Sequence, residues 1–188
     1  MDDITECEWY EDAKVYRFHE IERFLAETDS NVEFLIANGE PLVRERLFAK
    51  IKSQGYKFAT LFCPGCAVLP GAIVKEGCIL YDCGISADAV IEQNVLINTK
   101  AIVGHDVTIG AHSVLAPFCF LGGHTKVGEK VYMAPGAMAK DKICIGSEAI
   151  LSLGAVVLRS VRDRAIMVGN PAKRIGENTE GKVFGVFD

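Results

Sequence analysis

A six-residue period runs through the second half of the chain and constrains its fold more than any other feature. From Leu61 to Val157 every sixth residue is apolar, which gives 17 consecutive apolar positions. The residue four places after each of them is never charged. In a chain that is 49% hydrophobic, chance produces such a run in roughly one of 10⁵ cases. The period ends where the next step reaches Asp163. A fixed internal repeat is the signature of a stacked architecture.

The period predicts short strands joined by corners. In each hexad the small residue and the next large apolar residue lie two apart, so both face the same side of a strand. The remaining residues form a corner. All the prolines of the repeat fall at predicted corners, where they remove no hydrogen bond between strands: Pro64, Pro70, Pro117 and Pro135. Three strands close a triangular coil of 18 residues, and residues 61–162 make between five and six coils of a parallel β-helix.

Residues 1–60 lack the repeat and are predicted to form a truncated α/β domain, equivalent to half of a Rossmann-like domain. We expect a helix from Phe18 to Glu27, then a strand at 32–37, a second helix from Pro41 to about Ser53, and a strand at 58–61. No glycine-rich phosphate loop is present. The second helix should turn Leu42, Leu47 and Ile51 inward. Its basic residues are interpreted as a solvated face: Arg44, Arg46, Lys50 and Lys52.

Residues 163–188 are predicted to be a C-terminal extension. Its apolar segment at 182–187 should cover the open end of the repeat or a neighbouring subunit.

Composition and charge narrow the functional class. The 188 residues carry a net charge of −5, which excludes a basic nucleic-acid-binding protein. No apolar run approaches the length of about 18 residues that a membrane span needs. The acidic start lacks the basic and apolar regions of a signal peptide. Seven cysteines, an odd number, favour a reducing compartment. We therefore expect a cytoplasmic protein without a membrane span.

Candidate catalytic residues lie at the corners of the repeat. His105 and Asp106 share one corner, and His124 follows Asp106 by 18 residues, which stacks it one coil above. Gly123 stacks over His105 by the same spacing and leaves space above the imidazole. A neutral histidine is a suitable general base, and a neighbouring carboxylate orients it and stabilises its charged form.

The segment from Asn98-Thr99 to Ile109-Gly110, with Ala116-Pro117 and Val168-Gly169-Asn170-Pro171-Ala172, resembles the hexapeptide-repeat sugar acetyltransferases of the sialic-acid and bacillosamine pathways (NeuD/PglD type). The resemblance covers residues 32 to 175. It implies a left-handed β-helix, a homotrimer with sites between subunits, and acetyl-CoA as co-substrate. It also implies direct acetyl transfer to a hydroxyl or amine of a sugar, free or nucleotide-linked.

The resemblance assigns roles to individual positions. His105 corresponds to the catalytic base and Asp106 to the acid that raises its basicity. Asn98 lies near the sugar, and we expect His124 to support substrate binding. Acetyl-CoA contacts correspond to Val114, Gly123, Pro135 and Leu153. Valine at 114 replaces a second histidine of the family, and His112 lies two residues earlier.

The resemblance also implies that the phosphates of acetyl-CoA lie near the C-terminal coils. The basic residues that the 18-residue stacking places there are Lys140, Lys142, Arg159, Arg162, Lys173 and Arg174. Of these we assign Lys173 and Arg174 to acetyl-CoA binding. In a net acidic protein such a group is a plausible phosphate site.

Two other functions fit the same repeat. One is a non-catalytic trimeric scaffold. The other is a γ-type carbonic anhydrase, in which His105 and His124 would help to bind zinc, although the paired histidines five residues apart are absent. Cys63-Pro64-Gly65-Cys66 is a C-x-x-C motif without an evident second pair of ligands. We expect no metal and reduced thiols, with Cys83 and Cys119 packed inside.

Overall fold

The computed structural model describes residues 9–10, 13–14, 20–27 and 32–184 and divides the chain into two compact units, 1–33 and 34–188. In the first unit, β1 (Trp9–Tyr10) pairs antiparallel with β2 (Ala13–Lys14), and helix α1 spans Ile21–Glu27. The predicted helix is therefore present from Ile21. Phe18, where we expected it to begin, lies outside the described residues.

The segment before the repeat contains the predicted strand–helix–strand unit. Strand β3 (Glu33–Phe34) pairs with β4 (Lys57–Phe58), and helix α2 spans Pro41–Ser53 between them. Proline fits the first turn of α2 because the amide there has no helical acceptor.

Three parallel sheets form the sides of a left-handed β-helix, as predicted. Face A contains β5 (Leu61–Phe62), β8 (Ile79–Leu80), β11 (Leu96–Ile97), β14 (Val114–Leu115), β17 (Tyr132–Met133), β20 (Ile150–Leu151), β22 (Ala165–Val168) and, antiparallel to β22, β23 (Lys173–Glu177). Face B contains β6 (Ala67–Val68), β9 (Gly84–Ile85), β12 (Ile102–Val103), β15 (Phe120–Leu121), β18 (Met138–Ala139) and β21 (Val156–Val157). Face C contains β7 (Ile73–Val74), β10 (Val90–Ile91), β13 (Thr108–Ile109), β16 (Lys126–Val127) and β19 (Cys144–Ile145).

Turns connect face A to face B, face B to face C, and face C to face A of the next coil, and we call these three columns of turns corners AB, BC and CA. Most of the turns hold one residue with a left-handed backbone. Twelve non-glycine residues of the described chain have positive φ. Among them are Asp106 (φ 56°), His112 (φ 64°) and His124 (φ 57°). Aspartate, asparagine and histidine tolerate this conformation better than most residues. The prolines of the repeat also lie in these turns, as predicted.

The predicted register is wrong in the first coil. Ile97 pairs with Leu80 rather than with Ile79, a spacing of 17 residues. Leu80 is fully buried, whereas Ile73 is 55% exposed. The chain advances five residues, not six, between the inward-facing Leu80 and Ile85, and a one-residue slip turns a strand over. The small residues that face inward there are Cys66, Ala72 and Cys78.

The last coil is also shorter than the repeat predicts. Val161 bridges to Ile145, and in β22 Ile166 pairs with Ile150, both at a spacing of 16 residues. Parallel stacking therefore continues past residue 162, where the hexad pattern ends, and the β22–β23 hairpin follows.

The C-terminal extension turns back along its own chain. The Glu40 carboxylate accepts hydrogen bonds from the backbone N–H groups of Val183 and Phe184 at 2.8–3.1 Å. The Phe184 ring meets the Tyr132 ring edge-on at 5.3 Å. The tail to residue 184 thus packs beside α2 and face A, and not over the open end of the repeat, which was one of its two expected positions. Of the described helices, none has the length and apolar character to cross a membrane.

Candidate active site

The candidate base and its carboxylate lie at corner BC. His105 and Asp106 follow β12, and His124 follows β15 one coil above. The backbone N–H of His124 donates to the His105 carbonyl oxygen at 2.9 Å. The stacking of His124 over Asp106 that the 18-residue spacing predicts is therefore present.

Asp106 interacts with both imidazoles. His105 Nδ1 lies 2.8 Å from Asp106 Oδ2, and His124 Nδ1 lies 3.8 Å from the same oxygen. The hydrogen bond from His105, with the charges of both histidines, lowers the pKa of Asp106. An ionised Asp106 holds the proton of His105 on Nδ1, so the lone pair of Nε2 is free to accept a proton. The two rings meet edge to face, with centroids 4.9 Å apart.

Gly123 makes room for the His105 ring. A Cβ atom added at Gly123 would lie 2.6 Å from His105 Nε2 and 2.8 Å from Cε1. The His105 imidazole therefore reaches into the space left by the missing side chain of Gly123, which we expected to be open above the ring. Only glycine at 123 leaves room in this position for the ring and for Nε2, the atom that would accept the proton.

Other predicted site residues lie at corner AB, across face B from His105. Asn98 Nδ2 donates to the Leu115 carbonyl at 3.2 Å. Pro135 and Leu153 stack one coil apart, since Gly154 N donates to Pro135 O at 3.0 Å, and both are exposed. Each side of the coil spans roughly 15–20 Å at about 3.3 Å per residue. One chain alone therefore does not bring these residues to the His105 imidazole.

Val114 is not available to a ligand through its side chain. It is 2% exposed and packs on the outer side of face A with Ile79 and Leu96. Since alternate residues of a strand face opposite sides, Val114 points out of the solenoid into this covered cluster. The acetyl-CoA contact predicted at position 114 would therefore have to come from backbone atoms, and it stays a prediction. His112 is also buried and does not replace it.

A buried polar network at corner CA was missed in the sequence. Arg44 is fully buried, so the interpretation of its side chain as solvated is wrong. Its guanidinium donates to Asn94 O at 2.8 and 3.0 Å, to Asn94 Oδ1 at 2.7 Å, and to the carbonyls of Ile36 and Asn38. Burial lowers the pKa of Arg44 to about 10. The signal was its spacing from Phe48 and Ile51, with which it shares the buried face of α2.

The same network fixes the protonation state of His112. Asn94 Oδ1 accepts from Arg44, so Asn94 Nδ2 is the donor to His112 Nδ1 at 2.9 Å. His112 Nδ1 is then an acceptor, and the ring is neutral. Burial lowers the pKa of His112. The network ties α2 to the solenoid and leaves His112 without a part in the chemistry at corner BC.

The predicted phosphate-binding residues are divided among three places. Lys140, Lys142 and Arg159 lie at corner BC above His124, and Lys142 N donates to Gly123 O at 2.9 Å. The second place is β23, where Lys173 and Arg174 are exposed. The third place is corner CA, where Arg162 lies. On β23, the Arg174 guanidinium pairs with Glu177 at 3.1 Å.

Comparison with known proteins gives the class of this fold and site. Residues 88–123 match the family model for the bacterial transferase hexapeptide (six repeats). A mutant of perosamine N-acetyltransferase from Caulobacter crescentus, solved with CoA and GDP-perosamine, is 30% identical, covers 82% of this chain and 73% of that chain, and has a TM-score of 0.78. The PglB acetyltransferase domain from Neisseria gonorrhoeae, in complex with acetyl coenzyme A, is 27% identical over 81% of this chain and 76% of that chain, with a TM-score of 0.76.

The chain therefore belongs to the hexapeptide-repeat acyltransferases. Its structural neighbours include perosamine N-acetyltransferase and the acetyltransferase domain of PglB, which is consistent with the predicted NeuD/PglD type. Among curated relatives, UDP-3-O-acylglucosamine N-acyltransferase from Herminiimonas arsenicoxydans is 30% identical over 82 residues. That match covers 44% of this chain and 23% of the relative, so the chain spans about a quarter of that protein.

Proposed function

We propose that this protein is an acetyl-CoA-dependent O- or N-acetyltransferase that acts on a sugar or amino-sugar, free or nucleotide-linked, in glycan biosynthesis. The observation that carries the proposal is the contact of 2.8 Å between His105 Nδ1 and Asp106 Oδ2 beneath Gly123. It orients the imidazole and presents its Nε2 at an exposed corner. The bound CoA, acetyl-CoA and GDP-perosamine of the structural relatives support the choice of substrates.

The reaction needs one proton to move twice. As the acceptor oxygen or nitrogen attacks the thioester carbonyl, its proton passes to His105 Nε2. Asp106 stabilises the imidazolium that forms. When the C–S bond breaks, the imidazolium can return the proton to the thiolate of CoA. Transfer is direct, and no acetyl group is bound covalently to the protein.

The complete site requires a second copy of the chain. His105 lies at corner BC, whereas Asn98, Pro135 and Leu153 lie at corner AB. Between these corners, the outer side of face B presents a column of apolar side chains: Ile102, Phe120 and Met138. We propose a homotrimer in which face B is covered and corner AB of one chain meets corner BC of the next. Acetyl-CoA would then contact Gly123 of one chain and Pro135 and Leu153 of its neighbour.

Two further parts of the proposal concern the CoA phosphates and the location of the protein. Lys173 and Arg174 are exposed on β23 and remain our candidates for binding the CoA phosphates. The described cysteines are free thiols, which supports a cytoplasmic location.

Acetyl-CoA binding and transfer test the proposal together. Acetyl-CoA should raise the melting temperature of the protein, and an amino-sugar or its nucleotide derivative should cause release of CoA thiol. A panel of free and GDP- or UDP-linked amino-sugars, with matched hydroxyl analogues, separates N- from O-acetylation. A trimer that acetyl-CoA does not stabilise would instead be a scaffold. Stoichiometric zinc with carbon dioxide hydration would indicate the carbonic anhydrase.

A further inference from the structure

Corner BC gathers metal-ligating groups as well as a candidate base. Within the part of the chain that the structure describes, His105, Asp106 and His124 form the one group of three potential ligands that each offer one ligand atom within 4.8 Å of the others. The side chains are 59%, 45% and 50% exposed, respectively. In the single chain, a hydrated ion can therefore reach all three from solvent.

We propose that these residues form a binding site for a divalent transition metal ion such as Zn²⁺ or Co²⁺. The ligands are His105 Nδ1, Asp106 Oδ2 and His124 Nδ1, and water completes the coordination. Two imidazoles and one carboxylate are a donor set that zinc uses in proteins, whereas magnesium and calcium prefer oxygen ligands.

The two ligand distances to Asp106 Oδ2 lie on either side of those expected for a tetrahedral ion. Bonds of about 2.0–2.2 Å separate the ligand atoms of a tetrahedral zinc by roughly 3.3–3.5 Å. The corresponding distances are 2.8 Å from His105 Nδ1 to Asp106 Oδ2 and 3.8 Å from His124 Nδ1 to the same oxygen. Small rotations of half-exposed side chains bring both into range. The backbone hydrogen bond from His124 to His105 holds the two coils in register.

Metal binding and acetyl transfer exclude each other if His105 is the base, a consequence that rests on the proposed function. A metal on Nδ1 uses that lone pair, so the proton of the neutral ring must reside on Nε2. Nε2 then has no lone pair with which to accept the acceptor's proton. The metal also removes Asp106 from its hydrogen bond with the ring. The loaded enzyme should therefore be inactive.

Calorimetric and spectroscopic titration with Co²⁺ tests the site directly. We expect one ion per chain with the visible spectrum of tetrahedral cobalt and no thiolate charge-transfer band. His124→Ala should weaken binding by at least about tenfold, since loss of even an outer-shell partner costs that much. Asp88→Asn is the matched control. Asp88 occupies the same left-handed position one coil below Asp106 and is also exposed, so its loss should leave the affinity unchanged.

Two results would overturn the metal site. One is the absence of Co²⁺ binding at millimolar concentration. The other is a cobalt–thiolate spectrum that disappears in Cys63→Ser, which would place the ion at the C-x-x-C motif. The proposed function fails separately. If Co²⁺ binds as expected but the loaded enzyme transfers acetyl groups at the full rate, the site is correct and His105 is not the base.

Discussion

Replacement of Gly123 by alanine tests the geometry of the site without removing any functional group. The added methyl carbon would lie 2.6 Å from His105 Nε2. Because non-bonded atoms prefer separations of about 3.5–4.0 Å, the imidazole must retreat by roughly 1 Å. A displacement of that size costs about 10²-fold in rate when it misplaces a reacting group. We therefore expect kcat for Gly123→Ala to fall by about 10²-fold.

The fold should tolerate this change. The atoms nearest to the new methyl group belong to the end of an exposed side chain, and Gly123 does not have a left-handed backbone. The melting temperature should stay within about 3 °C of that of the wild type. Gly110→Ala is the contrasting variant, because its methyl would lie 2.6 Å from the backbone nitrogen of Glu129. We expect overpacking there to cost about 1–3 kcal/mol of stability.

Steady-state release of CoA thiol measures kcat, and a thermal melt measures the melting temperature. If Gly123→Ala kept the full rate with an unchanged melting temperature, the His105 ring would not need the position described here. Gly123 would then have no part in positioning the base.

Three further predictions concern stability, thiols and assembly. The pKa of His112 is lowered in the folded protein, so as the pH falls the unfolded chain takes up the proton before the folded chain does. The contribution of His112 to the free energy of unfolding should be complete above about pH 6.5 and decrease at lower pH, by at most about 1.4 kcal/mol per pH unit. His112→Asn, which tolerates the left-handed backbone, should flatten this slope in urea unfolding at about pH 5.5 and 7.5, and an unchanged slope would contradict the network. Burial raises the pKa of Cys83 and Cys119 to about 12, so these thiols should react with a disulfide reagent only when the protein unfolds. The exposed Cys144 should react in the native protein. Rapid labelling of Cys119 in the native protein would disprove its buried position. Sedimentation should show a trimer, and Phe120→Glu should dissociate it by placing charges on face B; a wild-type monomer at micromolar concentration would exclude a site between subunits.

The repeat could be read from the sequence because each coil repeats the same physical requirement. An inward position must be apolar and a corner must tolerate an unusual backbone, so 18-residue arithmetic correctly stacked His124 on Asp106. The same arithmetic failed between the first and second coils, where Ile79 pairs with Leu96 and not with Ile97. Ile79 and Leu80 are both apolar, and the hexad pattern alone does not show which of them faces inward.

The buried network was less accessible to sequence reasoning. Arginine is usually solvated, and Arg44 becomes buried because Asn94, 50 residues away, accepts its hydrogen bonds together with the nearby carbonyls of Ile36 and Asn38. Such long-range satisfaction of donors does not follow from local pattern. Similarly, the apolar character of Val114 was visible, but the covered side of face A depends on the elements packed there.

Kinetics of His105→Ala, with acetyl-CoA and an acceptor sugar, test the central claim most directly. The account predicts that kcat falls by roughly 10²–10⁴-fold, that the dissociation constant for acetyl-CoA is nearly unchanged, and that the ascending limb of the pH–rate profile disappears. Asp106→Asn should cost less, since it keeps the shape and removes only the charge. A fully active His105→Ala beside an inactive His124→Ala would contradict the account and assign the base to the neighbouring coil.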